Sequence, residues 1–329
     1  MCPSKLAGWM FAMTCAAVAS AATPVPAILK RIAVPASAAQ CVAVDPILNK
    51  VYVSGGASAN QQVVKIDVAT YEQTVLGPGS CASVDLVTHH VWAAGVYDGS
   101  ALVYDGSTGK LIRRIPLGGC PVSTAYDSSH GRAWIGAQCG ANNDPVFAVN
   151  GSTYRVDAGP IGSGGVFSVG PIANPATGRV YFGASNNGRL SSLCIDTDFA
   201  KVAQPFGGVG AVDATNGMLF AVASGDANEL EVVSEGSCAE WIVRTIKLPF
   251  TAGALAVSPA LGHLYAANPQ GNSIEVVNEK TGTPLTRIPV GAGSSPFRLA
   301  ADTERNRLYA LVQTAAGTQL LVIQDVAMH

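Results

Sequence analysis

Apolar and polar positions alternate along this chain in runs of only a few residues, the period-two signature of half-buried strands rather than of helices. Val42 and Val44, Val122, Leu255 and Val257, and Leu299 belong to such runs. Each run ends at Asp, Asn or Ser, whose side chain can bond backbone amides two residues on and so cap a tight turn. A second short strand follows, centred on an aromatic residue. After a polar loop comes a third strand closed by Asp or Asn, as in V-V-K-I-D (63–67), A-L-V-Y-D (101–105) and I-E-V-V-N (274–278). Turns such as D-G-S-T-G (105–109) then lead into a fourth strand, K-L-I-R-R-I-P-L (110–117) in that copy.

The unit repeats. Its aromatic recurs as Tyr52, Trp92, Trp134, Tyr181, Phe220, Tyr265 and Tyr309, at intervals of 39 to 47 residues. Four antiparallel strands per repeat at this spacing is the period of a propeller blade. The fold expected is therefore all-β, a seven-bladed β-propeller with four antiparallel strands per blade. An open sandwich or a helical solenoid is the alternative, but no amphipathic helical stretch is present. The seventh copy supplies three strands, ending in L-L-V-I-Q-D (320–325), and I-L-K-R-I-A-V-P (28–35) matches the missing fourth. The N-terminal strand is expected to complete the last blade and leave no free sheet edge.

Residues 1–22 carry one Lys, an uncharged apolar run and then small residues, the layout of a secretory signal peptide, with Ala19 and Ala21 at the cleavage positions. Residues 1–21 are read as signal peptide and 22–329 as one domain, exported to the periplasm or secreted. No later stretch has the ~18 uninterrupted apolar residues of a membrane span. Six cysteines remain after the leader, too widely spaced for C-x-x-C metal binding, and in an oxidising compartment they suit three disulfides. Fifteen connectivities are possible. Placement on the blades pairs Cys120 with Cys139 and Cys41 with Cys81, which leaves Cys194 with Cys238.

Composition narrows function. The chain is 48% hydrophobic and only 13% charged, with a formal charge of −2. With no basic run it has no source for the counterion release that drives nucleic-acid binding. Its 36 glycines and 19 prolines fit a molecule made largely of turns. No G-x-S-x-G, H-E-x-x-H or C-x-x-C-H occurs. His89, His90, His130 and His263 fall in strand-one-to-two turns, and the repeated Asp45, Asp85, Asp127, Asp213 and Asp302 are read as turn caps, like Asp67, Asp105, Asp196 and Asp325 after strand three. No metal, cofactor or catalytic set is expected, and the chain is expected as a monomer.

Ligands usually meet the propeller face formed by the blade connectors and the strand-two-to-three loops. The candidates there are Tyr97, Asp98, Asn142, Asn143, Asp144, Asn186, Arg189, Asp226 and Arg298. Amides and few charges suit an uncharged polar ligand, such as a glycan or peptide, or a partner protein.

The phrases G-G-C-P (118–121), D-P-I-L-N-K-V-Y-V-S (45–54) and G-S-S-P-F (293–297) with R-L-Y-A (307–310) resemble the YVTN-type seven-bladed β-propeller repeat family over the whole mature chain. The tetrapeptide varies in most copies. The resemblance implies a scaffold and leaves chemistry open: relatives include surface-layer and periplasmic propellers, lactonase-like propellers and propeller subunits of quinone-cofactor oxidoreductases. A non-catalytic binding scaffold is therefore the leading expectation. The alternative is a lactonase-like hydrolase or an accessory propeller of a quinone-cofactor oxidoreductase.

Overall fold

A computed structural model of the chain describes residues 25–55, 60–138, 144–162, 166–186, 189–204, 207–223, 226, 228–239 and 241–328. The expected leader and Cys139, Asn142 and Asn143 lie outside them.

The strands form seven four-stranded antiparallel sheets. Blade one runs through Cys41–Asp45, Lys50–Ser54, Gln62–Asp67 and Gln73–Pro78, and blade two through Ser80–Val84, His90–Gly95, Ser100–Asp105 and Leu111–Pro116. Blade three comprises Pro121–Asp127, Arg132–Ala137, Pro145–Asn150 and Val156–Gly162, and blade four Val166–Asn174, Arg179–Asn186, Arg189–Ile195 and Lys201–Ala203. Blade five is Gly208–Asp213, Met218–Val222, Glu229–Ser234 and Trp241–Lys247, and blade six Leu255–Ser258, His263–Asn268, Ser273–Asn278 and Pro284–Pro289. Blade seven holds Ser295–Asp302, Arg307–Thr314 and Gly317–Gln324, completed by Ala27–Ala33. In that last sheet Ile28 lies opposite Ile323 and Arg31 opposite Leu321, so the expected closure is present.

The turn between strands one and two shows why the repeat has the residues it has. Its penultimate position is left-handed in all seven blades, at Asn49, His89, Gly131, Gly178, Gly217, Gly262 and Asn306, with φ from 50° to 72°. Gly and Asn tolerate that region best, and six of the seven positions carry one of them. The preceding Asp accepts amide hydrogens as expected: Leu48 to Asp45 at 2.9 Å, Val87 to Asp85 at 2.9 Å, and Thr215 to Asp213 at 2.9 Å.

The core is not central. Seven clusters of buried apolar side chains each straddle one blade interface, so stacking between blades buries what a single sheet cannot. The innermost strands of neighbouring blades touch one another around the whole ring, including blade one against blade seven. Two disulfides reinforce neighbouring interfaces: Cys41–Cys81 joins blade one to two, and Cys194–Cys238 joins four to five, across 40 and 44 residues of chain. Bridges closing loops of that length contribute ~2–4 kcal/mol each, chiefly by restricting the unfolded chain. The third expected pair includes Cys139 and so falls outside the described residues. No helix among the described residues is long and apolar enough to cross a membrane. Disulfides together with that fact are compatible with an exported protein.

Candidate functional site

The expected mouth residues are spread around the ring. Tyr97 stands exposed on the strand-two-to-three hairpin of blade two. Beside it Asp98 turns back on its own blade, ion-paired with Arg114 and accepting the Ser100 amide at 3.2 Å. Such a solvent-facing pair contributes ~0–1 kcal/mol, which leaves it a hairpin brace. Asp144, just before Pro145–Asn150, is fully buried rather than displayed on the mouth. Asn186 and Arg189 pair through their backbones across the hairpin of blade four; their side chains are outside the described residues. Asp226 is exposed and accepts the Asn228 amide at 2.9 Å, closing its own turn. Arg298 lies on the innermost strand of blade seven, where desolvation lowers its guanidinium pKa although the side chain is solvent-accessible.

The opposite face, formed by the one-to-two and three-to-four turns, is more ordered chemically. At five of the seven joints the residue immediately after strand three of one blade stands by the strand-two aromatic of the blade before it. Between blades one and two, the Tyr52 hydroxyl donates to the Gly106 carbonyl at 3.4 Å. Between four and five the meeting residue is Glu235, buried among four donors of blade four. Tyr181 OH and Thr177 Oγ1 donate to its Oε1 at 2.9 and 2.7 Å, Asn174 Nδ2 bonds Oε2, and Arg179 Nη1 stands 3.8 Å from Oε1. Between six and seven it is Asp325, which accepts Tyr265 OH and holds His263 Nδ1 at 2.6 Å. Between seven and one it is the apolar Val68, packed in one cluster with Tyr309.

Two expectations are corrected by these latches. Asp325 does not close strand three, which ends at Gln324; it occupies the next position and reaches into blade six. His263 is not a solvated turn residue: it begins a strand and is fully buried, because Asp325 supplies its partner. His90 also begins a strand, whereas His89 and His130 stay in turns, with Nδ1 2.8 Å from Asp45 Oδ2 and 2.7 Å from Asp127 Oδ2.

The interface between blades five and six breaks the pattern. The meeting residue is again an acid, Glu279, but the aromatic opposite it is Phe220, which has no hydroxyl. A pocket of about 360 Å³ opens there, lined by Asp213, Asn216, Met218, Phe220, Val232, Arg244, Glu279 and Lys280. Glu279 is 4% exposed. Its Oε1 accepts Asn216 Nδ2 at 3.2 Å, whereas its Oε2 is buried with no hydrogen-bond partner. Desolvation first, then the charge of Asp213, push its pKa up to about 7, with Lys280, His263 and Arg244 opposing. Asp213 itself is saturated by the Thr215 and Asn216 amides and by Asn216 Nδ2 at 2.6 Å. Arg244 donates through Nη2 to the Glu279 carbonyl, while its Nη1 is buried without a partner. Burial lowers the Arg244 pKa against the raising effect of Glu279.

An unsatisfied buried polar group costs ~1–3 kcal/mol, more if charged. The residues lining the pocket therefore carry an unmet acceptor and an unmet donor, both buried, and an apolar wall of Met218, Phe220 and Val232 stands beside them in a cavity at the lower end of the usual small-molecule size range. Among the described residues no group of three or more His, Cys, Asp or Glu is placed to hold a metal ion. Sequence reasoning missed this place because it looked to the mouth. The signal that marks it is the single hydroxyl- and NH-free aromatic among the seven copies, followed one blade later by an acid. Comparison with protein-family models and with curated proteins finds no match to this chain, so its classification rests on the seven-bladed propeller itself.

Proposed function

We propose that this chain is an exported, non-catalytic propeller of the YVTN type that binds a small polar ligand. The observation that carries the reading is the pocket between blades five and six, lined by Glu279, whose Oε2 is buried without a partner. Around the same face, Glu235 and Asp325 are consumed in holding blades together. What they do for stability, Glu279 is left able to do for a ligand.

Export is supported by the leader-like first 21 residues and by the two disulfides. The mouth face is the surface for a partner protein, and exposed Tyr97 favours it, since tyrosines are common anchors of interfaces.

Native mass spectrometry of protein purified from its own source tests the ligand reading. Wild type is expected to retain a small molecule that Phe220→Tyr protein loses; retention by both, or by neither, counts against the pocket. An enzyme is the second reading, favoured by the displaced pKa of Glu279 beside Asp213, since acid and base pairs arise where environments push two carboxylates apart. Conversion of the retained molecule into a product, lost in Glu279→Gln, would decide for it.

A further inference from the structure

What fills the other joints narrows the ligand class, an inference that rests on the pocket reading above. The turn between strands three and four holds a left-handed residue in blades one to six: Tyr71, Gly109, Tyr154, Phe199, Cys238 and Gly282, with φ from 53° to 78°. Bulky residues rarely adopt that region. Yet three of the six are aromatic, and each packs into the joint with the preceding blade. Cations stand over these rings: Lys30 over Tyr71 at 5.2 Å, Arg113 over Tyr154 at 5.7 Å and Arg132 over Phe199 at 4.6 Å. The Tyr154 ring centre also lies 6.0 Å from that of Trp92 and 6.5 Å from that of His90. Cys238 instead bridges to Cys194 of blade four. Gly109 and Gly282 bring no side chain. Blades one and two are joined by Cys41–Cys81, whereas blades five and six have neither ring nor bridge among the described residues.

The pocket lies at that joint, and its wall repeats the surroundings of Tyr154. Trp92, Val103 and Arg113 pair in one row across blade two, and Phe220, Val232 and Arg244 form the same row across blade five. His90 and Met218 open the second strands of these blades. We infer that the pocket takes the aromatic ring of a small uncharged polar molecule, seated against Arg244 and Phe220 as Tyr154 is seated against Arg113 and Trp92. The ligand supplies the ring that Gly282 lacks. Arg244 lines the cavity, and a cation–π contact engages the face of a guanidinium, so it asks nothing of the buried Nη1. A cavity of about 150 Å³ holds benzene, and about 360 Å³ leaves room for a substituent. Two acids and two bases line the pocket, which suits a substituent that is polar and uncharged. Where His90 Nδ1 stands 3.4 Å from the Tyr154 hydroxyl, the pocket has the thioether of Met218, a partner for a bare ring edge.

The test titrates 2-phenylethanol and 2-cyclohexylethanol into the full chain by calorimetry, on wild type, Gly282→Tyr and Arg244→Met, with circular dichroism confirming each fold. The phenyl probe is expected to bind wild type at least threefold more tightly than the cyclohexyl probe, a margin that a cation–π contact supplies. Gly282→Tyr carries its own ring, in the conformation that Tyr71 and Tyr154 already adopt, and is expected to abolish binding. A Cβ there would stand 2.9 Å from Ile246 Cγ1, so Arg244→Met is the second arm. It keeps the cavity and is expected to erase the preference for phenyl. If the two probes bind wild type equally, if neither binds at millimolar concentration, or if Arg244→Met keeps the preference, the aromatic inference is overturned. Phenyl binding unchanged in folded Gly282→Tyr places the probe elsewhere and overturns it too. The pocket reading stands or falls separately, on whether the molecule retained by native protein is lost in Phe220→Tyr.

Discussion

The interface between blades four and five and the one between five and six are built from the same repeat and end in opposite states. At the first, Glu235 is met by Tyr181, Thr177, Asn174 and Arg179. At the second, Glu279 is met by Asn216 and faces Phe220. Four equivalent positions differ: Asn174, Thr177, Arg179 and Tyr181 at the first joint are Asp213, Asn216, Met218 and Phe220 at the second. It teaches that in a closed ring of near-equivalent blades, substitutions at one joint leave a buried acid unsatisfied where its counterpart at the next is held.

The comparison breaks most severely at the satisfied joint. Glu235→Ala leaves the donors of blade four buried without their acceptor, and removing one member of such a buried charged network costs ~3–5 kcal/mol. Urea unfolding is expected to show that loss, and a change below ~1 kcal/mol would mean that the latch carries no stability.

The unsatisfied joint is probed next by pH. Glu279 has a folded pKa raised to about 7 from the usual carboxylate value, so the folded state holds a proton that the unfolded chain has released. Raising pH from the ordinary carboxylate range through about 7 therefore removes stability, and the loss levels off above that pH. The slope within the window is on the order of 1 kcal/mol per pH unit. Asp213, Lys280, His263 and Arg244 all act on this group, so the clean readout is the difference between wild type and Glu279→Gln. The wild-type melting temperature is expected to fall relative to the variant as pH rises through the window; parallel curves would contradict the buried carboxyl.

Restoring the aromatic hydroxyl at the second joint is a milder change. Phe220→Tyr supplies the missing donor to Glu279 and is expected to stabilise by ~1 kcal/mol, read as a higher urea midpoint at unchanged slope. A destabilised variant would show that the pocket does not admit the hydroxyl. Smallest of all is Asp98→Ala at the mouth, which removes a partly exposed ion pair with Arg114 and is expected to shift stability by less than ~1 kcal/mol.

Much of the fold was legible because repetition averages over local noise. The aromatic at strand two and the capped turn before it recur seven times, and the strand over 28–35 announces its partner by likeness to 110–117 and 285–291. Cys41 with Cys81 followed from the blade positions and Cys194 with Cys238 by elimination, and both bridges are present. The latches were not legible, because each depends on a side chain from one copy meeting a different position of the next. Asp325 was read as the end of its own strand, although its partners are His263 and Tyr265 some sixty residues earlier. Asp144 looked like a loop residue and is buried. Phe220 counted as one more aromatic in the series; that it lacks a hydroxyl matters only once Glu279 is known to stand opposite.

Blade seven draws its strands from both Ala27–Ala33 and the segment 295–324. During synthesis the first of these strands must wait, without its partner Gly317–Gln324, until nearly three hundred further residues have arrived. Blades one to six can stack on one another meanwhile, but the ring cannot lock. The seam thus acts as a timer: a chain made from its N-terminus stays an open ring until its last blade is in hand.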